Sequence, residues 1–295
     1  MAEMRIRRSL LFVPANRPHL FAKALAGPAD MVCLELEDGV GPDQKTAARA
    51  HMRRFFDSKH KEADGGERGA ADGDAELLVR INHPATEEGK ADIDAILSAN
   101  TRPSGIMIPK ISSAEELHKV DTQLTAGGFD GRLFILIETT LGLEGCFDIL
   151  RASARLEMVL FGGVDLATEL RCTPGWEPLL YARQRLVHAA ASTGIDIMDM
   201  PYLNISDTDG LLAEARAAAA IGFTGKAAIH PAQLAAIHQA FTPAEDQISY
   251  AQKIVAAYQA SATGVTVLDG RLIEKPVVDR MQRLLALARA AGKTG

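Results

Sequence analysis

The feature that most constrains this sequence is a repeated pair, a short apolar run followed by a stretch with helical periodicity. The pair occurs eight times, with apolar runs at Ser9–Ala15, Met31–Glu37, Glu76–Asn82, Gly105–Lys110, Arg132–Thr139, Glu157–Gly163, Gly194–Pro201 and Gly225–Pro231. Most runs are continuously apolar, as expected of parallel strands covered on both faces. Eight such units in one domain predict an α/β fold, a closed TIM (β/α)8 barrel, rather than an open doubly wound sheet.

Two segments fall outside this repeat. The predicted barrel domain spans residues 1–242, and residues 243–295 are surplus to it. We expect the surplus to form a C-terminal helical extension that packs on the barrel or on a neighbouring subunit. Its predicted elements are a helix at Pro243–Ala260, a strand at Val265–Leu268, a turn at Asp269-Gly270 and a helix from about Pro276. Residues 57–75 are rich in Gly, Ala and charge, which predicts a surface insertion.

Composition excludes several classes of protein. Lys and Arg number 32 against 38 Asp and Glu, which gives no support to a nucleic-acid partner. No apolar run reaches the roughly 18 residues expected of a membrane span. The three cysteines, Cys33, Cys146 and Cys172, show no CxxC spacing and predict free thiols in a reducing compartment. The apolar run near the N-terminus is short and contains Pro14, which favours a first strand over a signal peptide. We therefore expect a cytoplasmic protein without membrane contact.

Polar residues at the ends of the apolar runs are the candidates for chemistry, because barrel enzymes place catalytic groups at the carboxyl ends of their strands. We expect several of these residues to converge at one barrel mouth. They are Glu37, Asp38, Arg80, Asn82, Lys110, Glu138, Asp165, Asp199 and His230.

Glu138 and Asp165 follow consecutive strands and could form a metal site. Two carboxylates and water suit a hard cation such as Mg²⁺. Arg80 could hold a carboxylate or an enolate oxygen in two hydrogen bonds. The structural alternatives are that each acid caps the helix after it, and that Arg80 pairs with Glu37 or Asp38.

The remaining polar candidates carry weaker signals. Lys110 could form a Schiff base, but nothing nearby in sequence predicts desolvation, and a metal-dependent route makes an imine unnecessary. His230 is more typical of a packed strand end than of a metal ligand. Gly142 allows an anion to approach a helix start. Arg17 and Lys23 could contact phosphates or simply be solvated.

Seven motifs in order carry a resemblance to a known family. They are RRSLLFVPAN (7–16), LELEDGVGPDQKTAAR (34–49), VRIN (79–82), MIPK (107–110), IETTLG (137–142), FGGVDLATEL (161–170) and GFTGKAAIHPAQL (222–234). Together they resemble the citrate lyase β-subunit-like (CitE-like) family of the HpcH/HpaI aldolase superfamily. The resemblance extends to DGRLIEKPVVDR (269–280) and so covers nearly the whole chain.

The resemblance implies a Mg²⁺-dependent lyase that acts on a 3-hydroxyacyl thioester of coenzyme A or acyl carrier protein; Mn²⁺ could replace Mg²⁺. Glu138 and Asp165 match the family's metal ligands. Arg80 matches the substrate-binding arginine. Glu138 and Phe12, the latter in the first apolar run, are further candidates for substrate binding.

The resemblance also implies an acid pair and a residue from a second subunit. Glu37 and Asp38 match the pair that orients the arginine and an active-site water. Family members assemble as trimers or hexamers, some as subunits of a lyase complex, with the C-terminal segment over a neighbour's barrel mouth. That segment carries an acid/base aspartate in related lyases, where this chain has Glu274. A carboxylate displaced by about 1 Å can cost on the order of 10²-fold in rate.

The predicted activity is cleavage of a citryl-, malyl- or citramalyl-type thioester into an acyl thioester and an oxo acid, or the reverse condensation. Three alternatives stay open: a pyruvate-type class II aldolase, a malyl-CoA thioesterase, and a barrel that binds acyl-CoA without turnover. The last stays open because a fold does not fix a function.

Overall fold

The computed structural model describes residues 5–63, 75–261 and 264–293, and within it the chain divides into two compact units. One unit comprises Arg7–Ile237. The other comprises residues 5–6 and the described chain from His238 onward. The predicted boundary between residues 242 and 243 stays a prediction.

Eight parallel strands close the first unit into a barrel, which confirms the predicted TIM fold. Each strand pairs with the next along the chain, and the first pairs with the eighth. The strands are β1 (Ser9–Pro14), β2 (Met31–Glu35), β3 (Glu76–Arg80), β4 (Gly105–Ile108), β5 (Arg132–Ile137), β6 (Leu156–Phe161), β7 (Asp196–Asp199) and β8 (Gly225–Ala228). Each strand ends one to three residues before the end of its predicted run, because the last residues of the run belong to the loop or helix that follows.

Each strand of the barrel is followed by one or more helices. They are α1 (Phe21–Leu25), α2 (Lys45–Ala63), α3 (Glu87–Leu97), α4 (Ala114–Ala126), α5 (Thr140–Glu144), α6 (Cys146–Ile149), α7 (Gly163–Leu170), α8 (Leu180–Ala191), α9 (Thr208–Ile221) and α10 (Leu234–Phe241). Ser113 caps α4 by accepting a hydrogen bond from the Glu116 N–H, as its sequence pattern predicts. Of the predicted insertion at 57–75, residues 57–63 are helical and belong to α2, and residues 64–74 lie outside the described residues.

Alternate residues of the strands fill the barrel interior. The core consists of buried side chains from all eight strands, among them Leu10, Met31, Leu78, Phe134 and Met198. Because successive strand residues point to opposite faces, polar residues that continue the inward set at the carboxyl ends face the barrel mouth. The packed interior therefore positions a polar layer directly above it.

Charged side chains close the other end of the barrel, where the strands begin. The Arg7 guanidinium is buried and donates to Glu76 (Nε–Oε2 2.8 Å), Glu157 and Asp196 (Nη1–Oδ2 3.2 Å). Arg132 also pairs with Glu76 (3.0 Å) and Glu157 (2.8 Å). Two arginines thus hold three acids from the starts of β3, β6 and β7.

Beyond the end of α10, the second unit contains two helices and a hairpin. They are α11 (Glu245–Gln259), β9 (Thr266–Leu268), β10 (Arg271–Ile273) and α12 (Lys275–Ala290). Asp269 and Gly270 both have positive φ, 50° and 73°, the geometry of a two-residue hairpin turn. A small core of Ala251, Ile254, Ile273, Val278 and Met281 joins the pieces. The sequence predicted every element except β10.

Within the described residues, no helix is both long and apolar enough to cross a membrane.

Candidate active site

A cavity of about 360 Å³ opens where the barrel strands end. Residues from the ends of seven strands or from the loops that follow them line it, including Pro14, Glu35, Arg80, Glu138, Phe161, Met200 and Ile229. Asp38, from the loop after β2, and Asp165, from the first turn of α7, complete its acidic lining. The structure thus brings together most of the acids that the sequence analysis singled out.

Arg80 is the cation at the centre of this lining. It ends β3 and is the register partner of Glu35, which ends β2, so both side chains face the mouth side by side. Its Nε donates to the Glu35 carboxylate, and its Nη1 lies 3.3 Å from Glu37 Oε2. The guanidinium carbon lies 4.9 Å from the centroid of the Phe12 ring. Two carboxylates and an aromatic face therefore fix the guanidinium plane.

Glu35 is the acid that the sequence analysis missed. The prediction assigned the orientation of Arg80 to Glu37 and Asp38; the structure gives this contact to Glu35 and Glu37, and Asp38 lies instead 3.8 Å from Lys110 Nζ. Glu35 also accepts a hydrogen bond from the Glu37 N–H and is 2% exposed. Strand alternation could have found it, because Cys33 and Glu35 share the inward face. A role for Asp38 on a water stays a prediction.

Glu138 and Asp165, the two predicted metal ligands, line the same cavity. Glu138 follows β5, is buried, and accepts a hydrogen bond from the Lys110 N–H (2.9 Å). A Cβ on Gly162 would lie 2.3 Å from the Glu138 Cβ, so only glycine lets the β6–α7 loop pass this side chain. Asp165 lies in the first turn of α7, and its side chain is 38% exposed. The buried acid is fixed, and the exposed one is open to the cavity.

Burial and neighbouring negative charge raise the pKa of Glu138 to about 8. Desolvation is the largest cause, followed by the charge of Glu37; Arg80 opposes the rise, and Asp165 adds to it. Glu37 Oε2 is buried and forms an ion pair with Arg80 Nη1 (3.3 Å), but no group among the described residues donates a hydrogen bond to it. Acidic side chains thus outnumber basic ones around this cavity. A bound cation would reduce the repulsion between their negative charges.

The donor set fits a hard cation. Among the described residues, no group of three or more His, Cys, Asp or Glu side chains has the geometry of a metal site. Protein ligands would thus be two carboxylates, Glu138 and Asp165, with water or substrate oxygens in the other positions. Mg²⁺ keeps several of its waters and is bound in this way in many proteins, so the residues present suit it.

Lys110 lies beside both acid pairs. Its Nζ donates to Glu37 Oε1 and lies 3.5 Å from Asp165 Oδ2. Burial alone would lower the pKa of Lys110, but the hydrogen bond and charge of Glu37, with Asp38 and Glu138, raise it above its usual range. A lysine held as an ammonium ion is a poor nucleophile, which argues against the Schiff-base alternative.

Two further strand-end candidates serve the scaffold. Asp199 does not line the cavity: it is fully buried and accepts hydrogen bonds from Arg183 (2.9 Å) and Lys226 (2.6 Å). Asn82 is also buried, and its amide binds the Asp92 carboxylate (2.6 Å). Both correct the expectation that these residues converge at the mouth, because their side chains point to neighbouring elements instead.

The weaker candidates have local roles or remain exposed. His230 is exposed rather than packed, and its Nδ1 accepts from the Ala232 N–H (3.2 Å) at the start of a short helical turn. The Gly142 N–H donates to the Thr139 hydroxyl (3.0 Å) and is therefore not available to an anion. Arg17 and Lys23 are exposed after β1, where contact with phosphates stays a prediction.

Glu274 belongs to the second unit. It is exposed and lies between β10 and α12, at the N-cap position of that helix. Its role as an acid or base in another subunit stays a prediction.

Comparison with known proteins decides the family. The family model described as HpcH/HpaI aldolase/citrate lyase matches residues 8–231. The chain belongs to this family. A second model, described as a carbon–carbon bond lyase of the TIM-barrel fold, matches residues 173–291. The family resemblance found in the sequence motifs is therefore confirmed.

Individual relatives agree with this assignment. Citramalyl-CoA lyase of Rattus norvegicus is 31% identical, with 96% of this chain and 86% of the relative covered. Citrate lyase subunit beta of Leuconostoc mesenteroides is 30% identical over 98% and 96% of the two chains. The predicted class, a carbon–carbon lyase, is confirmed by these names.

A solved structure extends the comparison to ligands. CitE from Mycobacterium tuberculosis, in complex with magnesium, acetoacetate and coenzyme A, superposes with a TM-score of 0.79 at 28% identity. The match covers 97% of this chain and 100% of that one. This related structure therefore contains the cofactor, magnesium, and the carrier, coenzyme A, that the sequence motifs predicted.

Proposed function

We propose that this protein is a Mg²⁺-dependent lyase that cleaves a 3-hydroxyacyl-CoA thioester into an acyl-CoA and an oxo acid. Candidate substrates are citryl-, malyl- and citramalyl-CoA, with an acyl-carrier-protein thioester as the other possible carrier. The observation that carries the proposal is the shared cavity of Glu138, Asp165 and Arg80, with its excess of acid side chains. The family and the names of the relatives support it.

Glu138 and Asp165 would hold the metal ion, Mg²⁺ or in its place Mn²⁺. When bound, a divalent ion polarises substrate oxygens and stabilises the negative charge that develops on them. Glu138 enters this role already fixed by the Lys110 N–H and by the close approach of Gly162. A fixed ligand reduces the reorganisation that substrate binding requires.

Arg80 would bind the acid end of the substrate or the enolate oxygen. Two contacts direct its donors to Glu35 and Glu37, and the remaining N–H groups of the guanidinium are left for the cavity it lines. Phe12 supports the guanidinium from below and lines the same cavity. The clamp fixes the direction from which a carboxylate can be held in two hydrogen bonds.

The chemical step needs a base and an acid. Removal of the proton from the β-hydroxyl lets the carbon–carbon bond break, and its electron pair passes to the thioester as an enolate. Protonation of that enolate gives the acyl thioester, while the hydroxyl carbon becomes the carbonyl of the oxo acid. Glu37 through a water, or Glu274 of the partner subunit, would exchange the proton. Holding these groups beside the substrate supplies much of the rate enhancement.

A product screen tests the proposal. Purified protein is incubated with each 3-hydroxyacyl-CoA thioester, with Mg²⁺ or with a chelator, and the products are identified by mass spectrometry. We expect an acyl-CoA and an oxo acid in the presence of Mg²⁺ only. Glu138→Gln and Asp165→Asn should each lower turnover by about 10³-fold, because each removes a ligand charge at the reacting oxygens.

The control is Glu157→Gln, an acid at the opposite end of the barrel, which should keep wild-type turnover. Full Mg²⁺-dependent turnover in both ligand variants would contradict the metal site. The product pattern also separates the alternatives: pyruvate without an acyl-CoA product indicates an aldolase, free CoA without an oxo acid indicates a thioesterase, and binding without products indicates a non-catalytic barrel.

We further propose a homotrimer or hexamer in which Glu274 completes the active site of a neighbour. Glu138→Gln and Glu274→Gln, each inactive alone, are co-refolded in equal amounts. A site made from both subunits would then recover about a quarter of wild-type activity, because a quarter of sites receive two intact parts. No recovery in mixed oligomers, checked by light scattering, would contradict the shared site. A cytoplasmic location and lyase-complex subunits also stay proposals; the free cysteines support the former.

A further inference from the structure

Lys110 adopts a backbone conformation that a lysine rarely takes. Its φ is 56°, and among the described residues only two other non-glycine residues, Arg171 and Asp269, have positive φ. The left-handed region costs a residue with a Cβ about 1 kcal/mol that glycine does not pay. A long charged side chain at such a position needs a compensating interaction.

The contacts of Lys110 supply that interaction. The positive φ directs the Lys110 N–H to Glu138 Oε1 (2.9 Å). The side chain of the same residue reaches Glu37, with Asp38 (3.8 Å) and Asp165 (3.5 Å) also near its Nζ. One residue therefore joins the proposed metal ligands to the acid pair.

The ammonium group also lies beside an oxygen that the metal ion would use. Asp165 Oδ2 is 3.5 Å from the Lys110 Nζ, so the carboxylate is already facing a positive charge. A divalent cation at the same carboxylate would be repelled by that charge, and within a partly buried site this repulsion is strong. The lysine side chain is flexible and its ammonium also donates to Glu37, so the ammonium can keep that hydrogen bond when it leaves Asp165.

We propose that Lys110 is an internal countercation that competes with the divalent ion for Asp165 and thereby lowers the metal affinity of the site. The inference rests on the proposed function, since it takes Glu138 and Asp165 to be the ligands. Its consequence is that metal binding moves the ammonium away from Asp165, while the hydrogen bond to Glu37 is kept. Loading of the ion and the position of the acid pair are thus coupled through one side chain, which acts as a positioning residue.

Mn²⁺ binding to the full-length protein tests the inference without any need for turnover. Free Mn²⁺ is measured by electron paramagnetic resonance during titration of wild type, Lys110→Met, Lys110→Gly and Lys110→Arg. Removal of the charge should tighten Mn²⁺ binding about tenfold in the Met and Gly variants. Lys110→Arg keeps the charge and should stay within about twofold of wild type.

Lys110→Gly also removes the cost of positive φ, so it carries the test if Lys110→Met does not fold. A role confined to holding the fold predicts the opposite sign, because a loosened Glu138 would bind the ion more weakly. Unchanged or weaker Mn²⁺ binding in both neutral variants would therefore overturn the inference while leaving the metal site intact. Absence of Mn²⁺ binding in the wild type would overturn the proposed function itself, and this inference with it.

Discussion

The two ends of the barrel differ in how acids and bases are balanced. At the N-terminal end, Arg7 and Arg132 are shared among Glu76, Glu157 and Asp196. At the C-terminal end, five carboxylates surround Arg80 and Lys110, and these are Glu35, Glu37, Asp38, Glu138 and Asp165. The first end has nearly as many cations as acids, whereas the second has a clear excess of acids.

Glu157 at the N-terminal end and Glu138 at the C-terminal end have pKa shifts of opposite sign, although burial also raises the pKa of Asp196 at the N-terminal end. Burial would raise the pKa of Glu157, but the hydrogen bond and charge of Arg7 outweigh it and lower the pKa. Burial and the charge of Glu37 instead raise the pKa of Glu138 to about 8. Acids paired with arginines contribute to the stability of the fold. Acids that exceed the number of nearby cations in a cavity instead favour the binding of an added cation. The comparison predicts that substitutions at one end change stability and those at the other change function.

The largest effect is expected for Arg80→Lys set against Arg132→Lys. Lysine keeps the charge but cannot hold a carboxylate in two parallel hydrogen bonds, so kcat/KM should fall about 10²-fold or more. Arg132 is at the other end of the barrel, and its variant should retain wild-type kcat/KM. Steady-state assays of both variants, with thermal melts to confirm folding, measure the contrast. Equal losses of kcat/KM would show that the two ends are not functionally distinct.

The next largest effect is a loss of stability, without a loss of activity, at the N-terminal end of the barrel. Arg7→Met should lower the free energy of unfolding by about 3 kcal/mol, because it removes the buried guanidinium that Glu76 and Asp196 share. Turnover per folded molecule should be unchanged. Urea denaturation measures the loss, with Arg53→Met on the exposed face of α2 as the control that should change it by less than about 0.5 kcal/mol. A loss below 1 kcal/mol for Arg7→Met would contradict a structural role for this network.

The contrast also explains what could be predicted from the sequence. The eight apolar runs predict the barrel because periodicity and order suffice for a closed parallel sheet. Which side chain faces the mouth depends on strand parity, and a shift of one residue reverses it. Position at the end of a run therefore predicts Asp199 at the mouth, although its side chain points to α8, and does not single out Glu35 on the inward face of β2.

Long-range geometry explains the remaining differences. Nothing local predicts that Lys110 takes a positive φ and reaches Glu37, since its N–H contacts Glu138 after β5 and its side chain contacts Glu37 after β2. The metal pair was easier to predict because Glu138 directly follows β5 and Asp165 lies in the helix turn that follows β6. Position along a strand is readable from sequence, whereas the partner of a long side chain is not.

A pH titration of metal affinity sharpens the comparison further. Glu138 must lose its proton to bind an ion, and its pKa is raised to about 8. Below that pH, the apparent Mn²⁺ affinity should fall by up to about tenfold per pH unit, and it should level off above it. Titrations between pH 6 and 9 measure this, with Glu157→Gln as a variant expected to give the same curve. An affinity independent of pH in this range would contradict the raised pKa.

The smallest effect is expected for Glu157→Gln itself. The side chain is 38% exposed, so solvent screens its pairs with Arg7 and Arg132, and the loss of stability at pH 7 should be about 0.5 kcal/mol. Because folding lowers the pKa of Glu157 below its usual 4.5, its contribution is present above that pH and is lost as the pH falls below it. Urea denaturation at pH 7 and at pH 3 should therefore show a difference from wild type that disappears in acid. A difference that persists at pH 3 would mean that the carboxylate charge is not what Arg7 requires, and the network would then stabilise the barrel through packing alone.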